Sequence, residues 1–252
     1  VVLFDRGLMD GKAYMSEEQW ELLLEELQLT PVALRDARYD AVVHLVPAAD
    51  GAVDYYTLAN NATRTESVAQ ALEMDRRTLE CWTGHEHLYI VDNSCPFDEK
   101  LRRAVARISK MVGAPAPRAI NRKFLLRRHP SAEDLRGHVK RFEVFEVEST
   151  YLCSPTPNER CRVRRRTQGT NVSFQHQLWV NEPRDDGSVA ATLVERALSG
   201  REYHILLKQA DPSCCAIKKT LTCFAWGNSY FELNSFVGAR HVAVLEVEAE
   251  SD

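Results

Sequence analysis

The stretch Gly113-Ala114-Pro115-Ala116-Pro117 divides this chain into two textures that one regular sheet or bundle does not accommodate. Before it, apolar residues recur at helical spacing between short apolar runs. After it, apolar and polar residues alternate with period two. The boundary predicts a first domain over 1–112, a linker over 113–117 and a second domain over 118–252.

In the first part, Ser16 followed three positions later by Gln19 reads as a capped helix start, with Trp20, Leu23, Leu24 and Leu27 on one face. Residues 61–79 and 97–111 read as further helices. Val1–Phe4, Tyr39–Val46 and Leu88–Val91 read as short buried strands. Three strands alternating with helices predict a parallel sheet, an α/β arrangement. In the second part, strand-like runs cover 120–126, 141–152, 160–166, 175–180, 216–224, 230–236 and 241–248, with helical pieces at 132–138 and 193–210. This balance predicts an α+β unit built on an antiparallel sheet or barrel.

Composition narrows the class. With 44% hydrophobic and 27% charged residues, the chain is globular and not disordered. The net charge of −4 is unevenly spread. Residues 1–117 carry 12 Lys+Arg against 19 Asp+Glu, and residues 118–252 carry 20 against 17, so the second part is biased toward anions. Seven cysteines without a CxxC spacing predict free thiols in a reducing, cytoplasmic compartment. No apolar run reaches the roughly 18 residues a membrane span needs, so any membrane contact is expected to be peripheral. No nucleic-acid partner is expected.

Several constellations carry chemistry. Asp5-Arg6 follows the apolar run Val1–Phe4, at the edge of a parallel sheet where ligands bind. There the carboxylate could hold a phosphate-bound metal and the guanidinium the phosphate oxygens. An ordinary strand end with a surface ion pair is the commoner origin of such a pattern. Arg64, Arg76 and Arg77 on a polar helix could clamp phosphates or simply face solvent. Asp92-Asn93 sits at the same expected sheet edge and could reach a nucleotide or form a turn. His85-Glu86-His87 has too few patterned partners for zinc and reads as loop histidines.

The strongest signal in the second part is Arg160-Cys161-Arg162-Val163-Arg164-Arg165-Arg166. Strand alternation places Arg160, Arg162, Arg164 and Arg166 on one face, where like charges need an anion or solvent. Lys123 and Lys218-Lys219 could join them. Glu246 and Glu248 alternate onto one face, as do Glu146 and Glu148, and either pair could hold a metal beside a polyphosphate or simply form cross-strand salt bridges.

Taken in order, these pieces resemble a known family. VVLFDRGLMDGKAYMS, YDAVVHLVPAADGAVDYYT and FDEKLRRAVARI resemble the P-loop NTPase domain of nicotinamide-riboside-kinase-type proteins. NRKFLL, VESTYL, RCRVRRR, IKKTLTCFAWGNSYFELNSF and VLEVEAE resemble a CYTH domain, the triphosphate tunnel fold. The order of the two resembles the TRPL translocation defect protein family. That resemblance implies GTP or ATP binding with Mg2+ in a full-length protein, phosphoinositide-phosphate binding and a role in moving membrane proteins. It implies nucleotide-phosphate contacts for Arg64, Arg76, Asp92 and Asn93. It gives Asp5 and Arg6 metal or catalytic roles only beside a P-loop. No GxxxxGK[ST] occurs in the chain, so the resemblance implies that such a segment precedes Val1. The metal motif ExExK of catalytic tunnel proteins reads Ala119-x-Asn121-x-Lys123 here. The expected role is therefore anion or phosphoinositide head-group binding through Lys123, Arg160, Arg162, Arg164, Arg166 and Lys219, with Glu246 and Glu248 as metal candidates. The alternative is an enzyme, either a nucleoside-type kinase or a tunnel-fold triphosphatase.

Overall fold

The computed structural model describes residues 1–55, 66–114, 120–183, 189–238 and 242–249. A 3-10 helix at Leu8–Tyr14 leads into α1 (Glu17–Leu27), α2 (Pro31–Arg35), β1 (Val42–Leu45), a 3-10 turn (Val53–Tyr55), α3 (Val68–Trp82), β2 (Leu88–Val91) and α4 (Phe97–Met111). Local chemistry sets the helix starts. Ser16 Oγ accepts from Gln19 N at 3.2 Å while Gln19 Oε1 accepts from Ser16 N at 3.0 Å. Thr30 caps α2 with Pro31 in its first turn, and Ser67 and Gln70 repeat the reciprocal cap on α3.

β1 and β2 pair in parallel, Val42 opposite Leu88 through Leu45 opposite Val91. The expected third strand does not form. Val1, Val2, Leu3 and Phe4 are 94, 73, 71 and 70% exposed, and their backbone joins no ladder among the described residues. Apolar character alone does not make a strand without a neighbour to hydrogen-bond. Instead the chain is pinned just beyond, at Gly7. Asp10 accepts from Gly7 N at 2.6 Å and from Trp82 Nε1 at 2.8 Å. A Cβ on Gly7 would lie 2.5 Å from the Trp82 ring, so only glycine permits this approach. Trp82, Met9, Ala13, Trp20, Leu34, Cys81 and Leu88 form the core of this part.

The second part contains β3 (Ile120–Leu126), α5 (Ala132–Arg136), β4 (Phe142–Leu152), β5 (Glu159–Gln168), β6 (Asn171–Pro183), β7 (Val189–Leu198), α6 (Gly200–Leu206), β8 (Ile217–Trp226), β9 (Ser229–Phe236) and β10 (Ala243–Ala249). The strands form one antiparallel sheet of order β3-β10-β9-β8-β4-β5-β6-β7. β3 and β7 remain its edges, so the described residues form an open sheet and not a closed barrel. Residues 193–210, expected as one helix, divide in two. Leu193–Leu198 belong to β7 and pair with β6. The helix begins only after Ser199, whose Oγ accepts from Glu202 N at 3.2 Å. On the outer face, Val139, Phe224, Leu233 and Ala243 pack with Leu135 of α5. Leu152, Val163 and Leu198 pack with Tyr203 of α6. The inner face holds a smaller apolar cluster of Phe145, Val147, Leu221 and Cys223, with Tyr230 against it.

Among the described residues no helix is long and apolar enough to cross a membrane. All seven cysteines are free thiols.

Candidate functional site: a basic sheet face

Residues directly opposite in a ladder share a face. Arg162 lies opposite Tyr151 and Gln177, and Gln177 lies opposite Glu195. Arg166 lies opposite Val147, which lies opposite Lys219. Continuing through β8, β9 and β10, the same inner face carries Asn234, Glu232, Glu246, Glu248 and Lys123. Glu146 and Glu148 point the other way. Glu148 meets Arg165 and Lys218, each at 3.4 Å, on the outer face.

The inner cations are held in different ways. Arg160 is exposed and stacks 4.2 Å from the Tyr151 ring centroid. Arg162 Nε donates to Gln177 Oε1 at 2.6 Å, with its guanidinium 4.8 Å from the Trp179 centroid. Burial and then the neighbouring Arg164 lower its pKa. Lys219 donates to Asn234 Oδ1. Burial, then Arg164, pushes the Lys219 ammonium down to about 8 despite Glu232 and Glu246. Lys123 is exposed and lies 3.0 Å from Glu246, which also accepts from Asn234 Nδ2 at 3.2 Å. Glu248 pairs with Arg107 of α4 and lies 3.4 Å from Lys110.

The turn after α3 docks on this face. Arg166, 4% exposed, donates through Nη2 to the Gly84 carbonyl and lies 3.5 Å above the Phe145 ring centroid. The Tyr230 hydroxyl accepts from Gly84 N at 3.0 Å and donates to His85 O at 3.3 Å. Glu86 projects between Arg164, at 3.7 Å, and Arg166, at 3.5 Å. His87 Nε2 lies 2.9 Å from Glu195. His85 is buried; its Nδ1 accepts from His87 N at 3.0 Å, so Nε2 donates to Tyr39 O at 2.9 Å. Burial lowers its pKa, in keeping with a neutral ring.

Burial pushes the Glu86 carboxyl upward, but Arg164, Arg166 and His87 outweigh it and hold it at about 2, against an ordinary 4.5. A depressed carboxylate pKa stabilises the fold above the unfolded value, and the contribution is lost as pH falls from 4.5 toward 2. It amounts to about 3 kcal/mol. His87 runs oppositely: burial draws its pKa down, but Glu195 raises it, so its contribution is present at low pH and fades as pH rises through the raised value. Between pH 5 and 3 the wild-type protein is therefore expected to lose more stability than Glu86→Gln, measured by denaturant unfolding. Parallel losses would remove the ion pair from the account.

The remaining sequence candidates are dispersed. Asp5 and Arg6 are exposed, Arg6 with φ of 74°, on the wall of a cleft of about 2490 Å³. Asp92, Lys123, Arg162, Glu246 and Glu248 line the same cleft. Arg64 lies outside the described residues. Arg76 is engaged by Glu73 and Glu80 of its own helix. Asp92 accepts from Arg103 at 2.9 Å and from the Ser94 hydroxyl at 2.6 Å. Asn93 holds the loop after β1: its Nδ2 donates to Pro47 O at 2.8 Å and Asp50 O at 2.6 Å, and its Oδ1 accepts from Lys100 at 2.6 Å.

Among the described residues no three His, Cys, Asp or Glu side chains come together as metal ligands. Glu246 and Glu248 are each paired with cations. The described donor set does not fit a resident Mg2+.

Spacing revealed the arginine row but not its carboxylate partners. Glu86 reaches it across about 80 residues of chain, and Glu195, the partner of His87 and Gln177 on the same face, lies in a stretch expected to be helical. The one local signal was a carboxylate between two histidines beside a buried apolar run, which has no direction until the fold is known.

Comparison with known proteins finds two likenesses. Residues 1–100 match the family model described as an AAA domain. Among solved structures, the chain is similar to the inorganic triphosphatase NE1496, at 21% identity and a TM-score of 0.35 over 54% of this chain and 76% of that one. It is similar to PH1012 of Pyrococcus horikoshii OT3, at 20% identity and 0.36 over 53% and 80%. It is also similar to a Hippeastrum protein described as a putative adenylyl cyclase with a dominant triphosphatase activity, at 12% identity and 0.35 over 53% and 80%. No curated protein matches the chain.

Proposed function

We propose that this protein binds a polyphosphate-class anion on the inner face of its antiparallel sheet, through Arg162, Arg164, Lys123 and Lys219, and acts as a regulatory nucleotide- and phosphoinositide-responsive protein in membrane-protein trafficking. The observation that carries the binding reading is Glu86. An internal carboxylate held at about 2 by Arg164 and Arg166 marks a place whose field favours negative charge. Arg162 and Lys123 extend that field into the open cleft. Planar guanidinium groups suit phosphate oxygens. The AAA-domain match over residues 1–100 supports a nucleotide link for the first part. Phosphoinositide as ligand and trafficking as process rest on the family resemblance.

Replacing Arg162 and Arg164 together with alanine is expected to abolish binding to phosphoinositide-containing liposomes and to weaken tripolyphosphate binding at least about tenfold, a loss of about 1.4 kcal/mol. Binding that survives unchanged would refute the site. Lys219 adds a pH signature. Its ammonium is charged below about 8, so affinity for tripolyphosphate should fall as pH rises from 7 to 9, and Lys219→Met should flatten that slope. Phosphate release that depends on Glu246 or Glu248 would instead make the protein a triphosphatase.

A further inference from the structure

We infer that the turn Gly84–His87 is an internal plug of the anion site, with Glu86 standing where a charged ligand oxygen would lie, so that docking of this turn and binding of a phosphate ligand exclude one another. The inference rests on the anion-binding reading above and adds its regulation.

Three observations support it. First, Glu86 meets Arg164 and Arg166 at 3.7 and 3.5 Å, ion-pair distances without tight hydrogen bonds. Second, Arg166 Nε and Nη1 are buried and have no hydrogen-bond partner among the described residues. Two donors of a buried guanidinium left unmatched are an unfavourable arrangement that a multi-oxygen anion would correct better than one planar carboxylate. Third, the turn's polar contacts with the sheet lie on separate strands, Arg166 of β5, Tyr230 of β9 and, through His87, Glu195 of β7, while His85 stays anchored to Tyr39 on the other side. A small number of polar contacts can be exchanged as a set when a ligand supplies the opposing charge. The turn leads straight into β2, whose parallel ladder with β1 begins at Leu88. Its release would therefore report ligand binding to the AAA-like part.

The test uses the full chain and sodium tripolyphosphate as probe, with calorimetric titration of wild type, Glu86→Gln, Glu86→Ala and the Arg162→Ala/Arg164→Ala variant. Removing the internal charge is expected to tighten tripolyphosphate binding about tenfold. In wild type, adding tripolyphosphate is expected to speed hydrogen exchange at the Gly84 amide, which now donates to Tyr230. This second readout decides the matter if the Glu86 variants fail to fold. Wild-type binding that depends on Arg162 and Arg164 but is unchanged or weakened in both Glu86 variants, with Gly84 exchange unaltered, would overturn the plug and leave the site standing. No binding by any folded form would overturn the site reading itself.

Discussion

Arg166→Ala is expected to lower the unfolding free energy by about 4 kcal/mol, against less than about 1 kcal/mol for Arg165→Ala one position earlier. Both are arginines on β5 with carboxylate neighbours, and strand alternation separates them. Arg165 points outward, half-exposed and 3.4 Å from Glu148, where water and salt screen the pair. Arg166 points inward, stacks on Phe145, donates to the Gly84 carbonyl and faces Glu86 and Asp36 at 3.5 and 3.9 Å. Alanine there would leave a buried carbonyl without its donor, a carboxylate with one of its two arginines gone, and a void over the Phe145 ring. For a chain of this length the melting temperature should fall by roughly 10 °C. Equal effects for the two substitutions, measured by denaturant unfolding, would mean that the turn does not dock on the sheet in solution.

Gly84→Ala is expected to be nearly as damaging, at about 3 kcal/mol, because two separate costs add. The residue has φ of 98°, a conformation in which a Cβ is strained. Its Cβ would also lie 2.6 Å from Arg35 Nη1 and 2.9 Å from Phe145. Arg35 has no room to yield. It is 3% exposed and fixed by Asp36 at 2.8 and 2.9 Å, the Thr83 carbonyl at 2.9 Å and Gln168 at 3.0 Å. Gly113→Ala separates the two terms: Gly113 also has positive φ, 72°, but nothing lies within 4 Å of its Cβ. It should lose about 1 kcal/mol from backbone strain alone. If the two alanines are equally tolerated, the crowding at Gly84 is not real.

The fold was readable in the sequence where the physics is local. The cap at Ser16 marks α1, and α4 spans Phe97–Met111 as its apolar spacing predicts. Period-two alternation located seven of the eight antiparallel strands and put Arg160, Arg162, Arg164 and Arg166 on one face. The failures lie where a neighbour decides. Val1–Phe4 has the composition of a strand but no partner, and β7 was hidden in an expected helix because Thr192–Ala197 is apolar enough to fit either period. Register with β6 settled it as a strand. The site was half legible. Its arginines alternate along one short stretch of sequence, whereas the carboxylate that meets Arg164 and Arg166, Glu86, comes from a turn about 80 residues earlier. Similarly, Lys218 and Lys219 are adjacent in sequence but serve opposite faces, the first meeting Glu148 and the second Asn234.

The docking of Gly84 and His85 on Tyr230 also imposes an order on synthesis. The hydrogen bonds that close it span 145 and 146 residues of chain, and the Arg107–Glu248 pair spans 141. A ribosome making some 5–20 residues per second leaves on the order of 10 s between the emergence of the turn and that of its last partner. Until Arg164 and Arg166 are made, about 80 residues after the turn, the Gly84 carbonyl and the Glu86 carboxylate lack their partners from β5. The nascent first part completes its contacts only after the final strands arrive. Contacts of such long range make for slow, late folding, and the interval is the window in which a chaperone would be most needed.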